Sequence, residues 1–150
     1  MQETIVIGSD HAGFVLKDTL KRHLESKGFS VLDKGTNGSE SVDYPDFGHS
    51  VAEAVVGGAA QLGILICGSG NGVNITANKH KGVRGALAWR ADVAALAREH
   101  NNANVLSIPA RFVTTGEAIG IVDAFLRAAF EGGRHAKRVE KIEPNNGTQK

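Results

Sequence analysis

Residues 63–78 read GILICGSGNGVNITAN, and this stretch decides the fold. Ile64, Leu65 and Ile66 form a continuous apolar run of the kind that fits a strand buried on both faces, with no turn signal to interrupt it. Cys67 closes the run. Gly68, Ser69, Gly70, Asn71 and Gly72 follow, too rich in glycine for regular structure, and Val73 to Ala77 resume a pattern compatible with a helix. A glycine-rich loop between a parallel strand and a helix presents bare backbone N–H groups at the positive end of the helix dipole, where bound or developing negative charge is favoured. The loop lacks the Gly-Lys-Ser/Thr ending of a phosphate-cradling loop, and its glycines alternate instead of following the dinucleotide spacing, which argues for a small anionic ligand over a nucleotide. Cys67 has two readings. Free cysteines are among the most buried residue types, so it is either a small strand-capping residue or a thiol facing a helix N-terminus, where a pKa of about 8.5 is lowered and an accessible thiolate results.

The same unit recurs on either side. Thr4 to Ile7 is a β-branched strand, followed by Gly8–Gly13 and an amphipathic segment with Phe14, Leu16, Leu20 and Leu24 on a helical repeat. Gly28 fits that helix's end, Phe29 to Leu32 supply a second strand, and Asp43-Tyr44-Pro45-Asp46 opens a helix whose apolar face holds Val51, Ala52, Val55 and Val56. Beyond the central loop, Val83 to Trp89 forms a fourth strand, Arg90 to His100 a helix and Val105 to Ile108 a fifth strand. Thr114 or Thr115 caps a helix with Ile119, Val122, Phe125 and Leu126 turned inward, and Arg134 to Ile142 is a last short helix. Strands alternating with helices predict an α/β fold: a single-domain, Rossmann-like three-layer sandwich with a mainly parallel five-stranded sheet and helices on both faces. Residues 1–142 make the domain, and 143–150 (EPNNGTQK) are polar enough for a disordered tail.

Whole-chain properties narrow the function. At 150 residues and 41% hydrophobic content the chain is one ordinary domain, and a formal net charge of +1 gives no support to nucleic acid or an anionic membrane as partner. A single cysteine excludes an internal disulfide framework and a cysteine-based zinc site. The N-terminus meets acid and glycine too soon for a signal peptide, and no apolar run approaches spanning length, so a cytosolic (cytoplasmic), soluble protein is expected. In parallel sheets ligands bind beyond the carboxyl ends of the strands, near a topological switch point. That places Asp10 and His11, Cys67 to Asn74, and Arg111 on a common rim. Each element also has a plainer reading: Asp10-His11 as a solvated loop pair, His100-Asn101-Asn102 as a helix exit, and Arg134 with Arg138, four residues apart, as a solvated basic face instead of a grip on one phosphate.

Taken together, SDHAGF (9–14), LK (16–17), DYPDF (43–47), ICGSGNG (66–72), ANK (77–79), HNNANVL (100–106) and EGGRHAKRVEKI (131–142) closely resemble one family, the type B ribose-5-phosphate isomerases with the related galactose-6-phosphate isomerase subunits. The resemblance implies an aldose–ketose isomerase of the non-oxidative pentose phosphate pathway. It would need no cofactor and no metal, and would move a proton between C1 and C2 of an open-chain sugar phosphate through a cis-enediolate. Cys67 matches the catalytic base. A sister subgroup carries a glutamate base at the position of Val73, and valine cannot take a proton. Ser69 matches the hydroxyl that passes a proton between O1 and O2, and the amides of Gly70, Asn71, Gly72, Val73 and Asn74, with Gly68 beside them, match the anion hole. His100 paired with Asp10 matches the ring-opening group, Asn101 and Tyr44 match sugar-hydroxyl contacts, and His11, Arg111, Arg134 and Arg138 match the phosphate clamp. The resemblance further implies a homodimer or dimer of dimers with sites shared between subunits, the His100-Asn101 segment and some arginines coming from the partner chain. The phosphorylated pentose has two rivals: a six-carbon aldose phosphate such as allose or galactose 6-phosphate, and a non-catalytic sugar-phosphate sensor. A flavodoxin-like nucleotide-binding module is opposed by the missing fingerprints.

Overall fold

The computed structural model describes residues 3–144. Strands β1 (Thr4–Ser9), β2 (Ser30–Asp33), β3 (Leu62–Cys67), β4 (Gly85–Leu87) and β5 (Val105–Pro109) alternate with helices α1 (Phe14–Ser26), α2 (Tyr44–Val56), α3 (Asn71–Ala77), α4 (Ala91–Asn101), α5 (Thr115–Arg127) and α6 (Arg134–Glu140). A short 3-10 turn, His11–Gly13, lies between β1 and α1. All four strand pairings are parallel, in the order β2-β1-β3-β5-β4, so the sheet is wholly and not merely mainly parallel.

Strand alternation sorts the core into two layers. Ile5, Ile7, Ile64, Ile66, Leu106 and Ile108 face Leu20 and Leu24 of α1, Ala94 and Ala97 of α4, and Ile121, Val122 and Phe125 of α5. Val6, Leu65, Cys67 and Val105 face Val51 and Ala52 of α2 and Val73 and Ala77 of α3. Gly63 shares the second face because α2 presses on it: an added Cβ would sit 2.8 Å from Val51 Cγ1. The chain leaves β1 toward β2 on one side and β3 toward β5 and β4 on the other, so the switch point lies between the carboxyl ends of β1 and β3.

Local chemistry explains the helix starts. Thr114 Oγ1 accepts from Glu117 N–H while the Glu117 carboxylate accepts from Thr114 N–H, a reciprocal cap that makes Thr114, not Thr115, the N-cap. Pro45 occupies the first turn of α2, where its missing N–H has no acceptor to lose. The expected strand 83–89 shrinks to Gly85–Leu87 at the sheet edge. Its flanks are used otherwise: Arg84 N–H donates to Asn104 Oδ1, and the Arg84 guanidinium binds Asn102 O. Gly8 and Ser9, expected in a loop, extend β1. Val56, expected inward, is 47% exposed. Lys17 is fully buried, its ammonium 2.8 and 2.9 Å from the two oxygens of Asp33. Of the expected tail, Glu143 is held by a 2.6 Å hydrogen bond from Gly82 N–H, and residues 145–150 lie outside those described. No helix among the described residues is long and apolar enough to cross a membrane.

Candidate active site

The loops after β1, β3 and β5 meet at the switch point. Asp10 N–H donates to Ile66 O at 3.2 Å, Ala110 N–H to Cys67 O at 2.9 Å and Arg111 N–H to Gly68 O at 3.0 Å, so the three loops are tied by backbone. Gly13 has no room for a side chain, since a Cβ would lie 2.7 Å from Ile66 O. Asp10 is 8% exposed, and its Oδ1 accepts from Gly13 N–H at 3.1 Å, capping the 3-10 turn. His11 Nδ1 accepts from Val42 N–H at 3.2 Å, which leaves the ring proton of a neutral imidazole on Nε2 as a donor.

Cys67 ends β3 at 5% exposure, its side chain in the α2–α3 layer with Val6, Val51, Leu65 and Val73. The thiol expected to be accessible is therefore nearly covered within one protomer, because strand alternation turns residue 67 to the same face as Leu65 and under the first turn of α3. Gly70 follows with φ 77°, and a Cβ there would meet Leu87 Cδ1 at 2.5 Å, so glycine is required on both counts. The first-turn amides of α3 have no intrahelical acceptor. Asn71 N–H is taken by Ser69 Oγ at 3.2 Å, while Asn74 N–H bonds Gly70 O at 3.3 Å. This leaves Gly72 and Val73 N–H as the donors of that turn. The Asn74 side chain faces elsewhere, its Oδ1 accepting from Ser107 Oγ at 3.0 Å.

Tyr44, at the start of α2, lies over Gly72, where a Cβ would be 2.5 Å from the ring. The Arg111 guanidinium sits against Gly68, its Nη1 3.0 Å from an ideal Cβ there. Asp10, His11, Tyr44, Cys67 to Asn74 and Arg111 thus share one rim, with Tyr44 43% exposed.

The remaining expected residues are elsewhere. His100 and Asn101 end α4, just before β5 begins at Val105, whereas Cys67 pairs with Pro109 at the other end of β5. From Val105 to Pro109 is four steps, roughly 13 Å of strand. A pairing of His100 with Asp10 within one protomer is ruled out by this topology, because α4 runs back along the sheet before ending. His100, Asn101 and Arg138 instead line a cleft of about 310 Å³ with His135, Val139 and Ile142. Arg134 and Arg138 are both exposed on α6. The His100 ring stacks on that of His135, centroids 4.2 Å apart and planes at 10°, and Glu131 Oε1 lies 3.7 Å from His100 Nε2 and 3.4 Å from His135 Nε2. Glu131 and His135 carry no expected role from the sequence; their signal is a histidine and an acid flanking Arg134 in the same motif.

The chain therefore carries two separate polar groups, one with a nearly covered thiol, a hydroxyl and amide donors, the other with an imidazole, an amide and two arginines. The first suits stabilisation of an oxyanion, the second suits binding a polar, anionic molecule.

Comparison with known proteins shows the family. The family model described as ribose/galactose isomerase matches residues 5–142. The ribose-5-phosphate isomerase B of Escherichia coli strain K12 is 49% identical over 138 residues, covering 92% of this chain and 93% of that protein. The solved structure of Clostridium thermocellum ribose-5-phosphate isomerase B superposes with a TM-score of 0.92 at 51% identity, covering 93% of this chain and 94% of the other. The Mycoplasma genitalium ribose-5-phosphate isomerase B, solved with bound ribulose-5-phosphate, gives a TM-score of 0.90 at 52% identity over 93% of both chains.

Proposed function

Because this chain belongs to the ribose/galactose isomerase family, we propose that it interconverts D-ribose 5-phosphate and D-ribulose 5-phosphate without a cofactor, through a cis-enediolate. The observation that carries the reading is the β3–α3 loop. Cys67 ends β3 and the Gly72 and Val73 amides open the helix that follows, an order that supports the reading in a chain about half identical to proteins named for that activity.

In the forward direction the Cys67 thiolate takes the proton from C2 of the open-chain aldose and returns it to C1. Ser69 moves a proton between O1 and O2. The enediolate's negative charge meets the amides of Gly70, Gly72 and Val73, donors that need no reorganisation and that are worth roughly 2.7–4 kcal/mol each at a developing oxyanion. His11 and Arg111 hold the phosphate from the rim, and Tyr44 contacts a sugar hydroxyl. His100, Asn101, Arg134 and Arg138 reach the same substrate from a partner subunit, His100 meeting Asp10 across the interface to open the furanose ring. Their place at the far end of the sheet from Cys67 supports a homodimer, or a pair of such dimers, with composite sites. Residues 1–142 act as one catalytic unit.

A coupled assay on the purified protein with ribose 5-phosphate, allose 6-phosphate and unphosphorylated ribose tests the reading. The pentose phosphate should give the highest kcat/KM. Faster turnover of the hexose phosphate would move the assignment to a six-carbon substrate, and equal turnover of free ribose would remove the phosphate clamp.

A further inference from the structure

The His100–Glu131–His135 group lies outside the loop chemistry described above, and its donor set has a use of its own. Two imidazoles and a carboxylate are the ligand types that suit zinc and neighbouring divalent transition metals. Their ligand atoms all lie within 4.8 Å of one another. A tetrahedral zinc site with bonds of 2.0–2.2 Å has ligand-to-ligand edges of about 3.4 Å. The two carboxylate-to-imidazole separations are 3.4 and 3.7 Å.

The group is held by backbone and not by surface chance. Glu131 N–H donates to Glu99 O at 3.0 Å and His135 N–H to Gly132 O at 3.0 Å, so the chain reversal before α6 is pinned to the end of α4. Gly132 and Gly133, at φ 68° and 54°, make that reversal accessible. His135 is only 8% exposed, while His100 faces the cleft beside Asn101 and Arg138, where water can supply a fourth ligand. The two rings stack with their planes at 10°, so binding one ion requires them to tilt toward a common point.

We propose that His100, Glu131 and His135 form a divalent transition-metal site of the zinc type. Occupancy ties up the His100 lone pair, so the bound ion acts as an inhibitor; this consequence rests on the reading of His100 as the ring-opening group, whereas the site itself does not.

The test uses untagged, chelator-stripped protein. Isothermal titration with Zn²⁺ alone should give one ion per chain, and Co²⁺ should give the visible absorption of a low-symmetry four- or five-coordinate site. Glu131→Gln and His135→Ala should each weaken Zn²⁺ binding at least tenfold, with circular dichroism confirming that each variant is folded; two variants are made because His135 is buried. Wild-type isomerase activity should fall with a midpoint matching the titration, and Glu131→Gln should shift both together. Unchanged affinity in both folded variants would put the metal elsewhere, at His49 and His80, whose ring nitrogens lie 2.7 Å apart, or at Cys67, and overturn the site. Tight one-to-one binding with no loss of activity would overturn the inhibitory role alone.

Discussion

Mixing two inactive variants should restore activity, because each protomer carries its two polar groups at opposite ends of the sheet. Roughly 13 Å of β5 separates the level of Val105, beside which His100 and Asn101 sit, from that of Pro109, which pairs with Cys67. No histidine side chain closes that gap within one chain. Consider Cys67→Ala, expected to reduce kcat by about three orders of magnitude, and His100→Ala, by about two to three, each through loss of a proton-transfer group. In a two-fold dimer with composite sites, a mixed dimer has one centre with both substitutions and one with neither. Random reassociation makes half the dimers mixed, and half of their centres are intact, so about a quarter of wild-type activity per protomer should return. Co-refolding equimolar variants, verifying exchange by native mass spectrometry and following ribulose 5-phosphate formation would read this directly. A mixture no more active than the mean of its parents, with exchange complete, would refute composite sites.

Other perturbations address separate parts of the structure. Lys17→Ala should destabilise the fold by about 3 kcal/mol in urea unfolding, since it leaves the largely buried Asp33 carboxylate with Lys21, 3.4 Å away, as its remaining cation and Gly35 N–H as a neutral donor. Burial pushes the Asp33 carboxyl up, but hydrogen bonds from Lys17, Gly35 N–H and Lys21 and the Lys17 charge outweigh it and hold the group below the usual carboxylate value. The stability from this group is therefore complete above the unfolded pKa of about 3.9 and is lost as pH falls through the lower folded value, so the advantage of wild type over Asp33→Asn should shrink below pH ~4. Gly70→Ala, which forces a side chain at φ 77° into Leu87, should cost far more in kcat than in melting temperature. Arg138→Ala should chiefly raise KM for the phosphorylated sugar, with a smaller loss of kcat; an unchanged KM would take Arg138 out of the phosphate contact.

The sequence made the sheet legible because its signals are local. Ile64–Ile66 fits a buried strand, Pro45 and the Thr114–Thr115 pair mark helix starts, and alternation of strand and helix implies parallel pairing. The rim followed from the same topology. What stayed hidden depends on neighbours distant in the chain. Lys17 looks like a surface lysine until β2 brings Asp33 to it, and Val56 joins an apolar stripe yet ends outside because α2 has already covered the sheet with Val51 and Ala52. The glycine loop suggested five amide donors, but Ser69 Oγ and Gly70 O consume two, which only coordinates reveal. Likewise the covering of Cys67 is a matter of which face residue 67 takes, fixed by register and not by composition.

The most direct measurement is the steady-state rate of Cys67→Ala on ribose 5-phosphate, with folding and oligomeric state checked against wild type. Removal of the only thiol, with no neighbour to replace it as base, predicts a fall in kcat of about three orders of magnitude. A folded variant that keeps kcat within tenfold of wild type would show that proton transfer does not run through this sulfur.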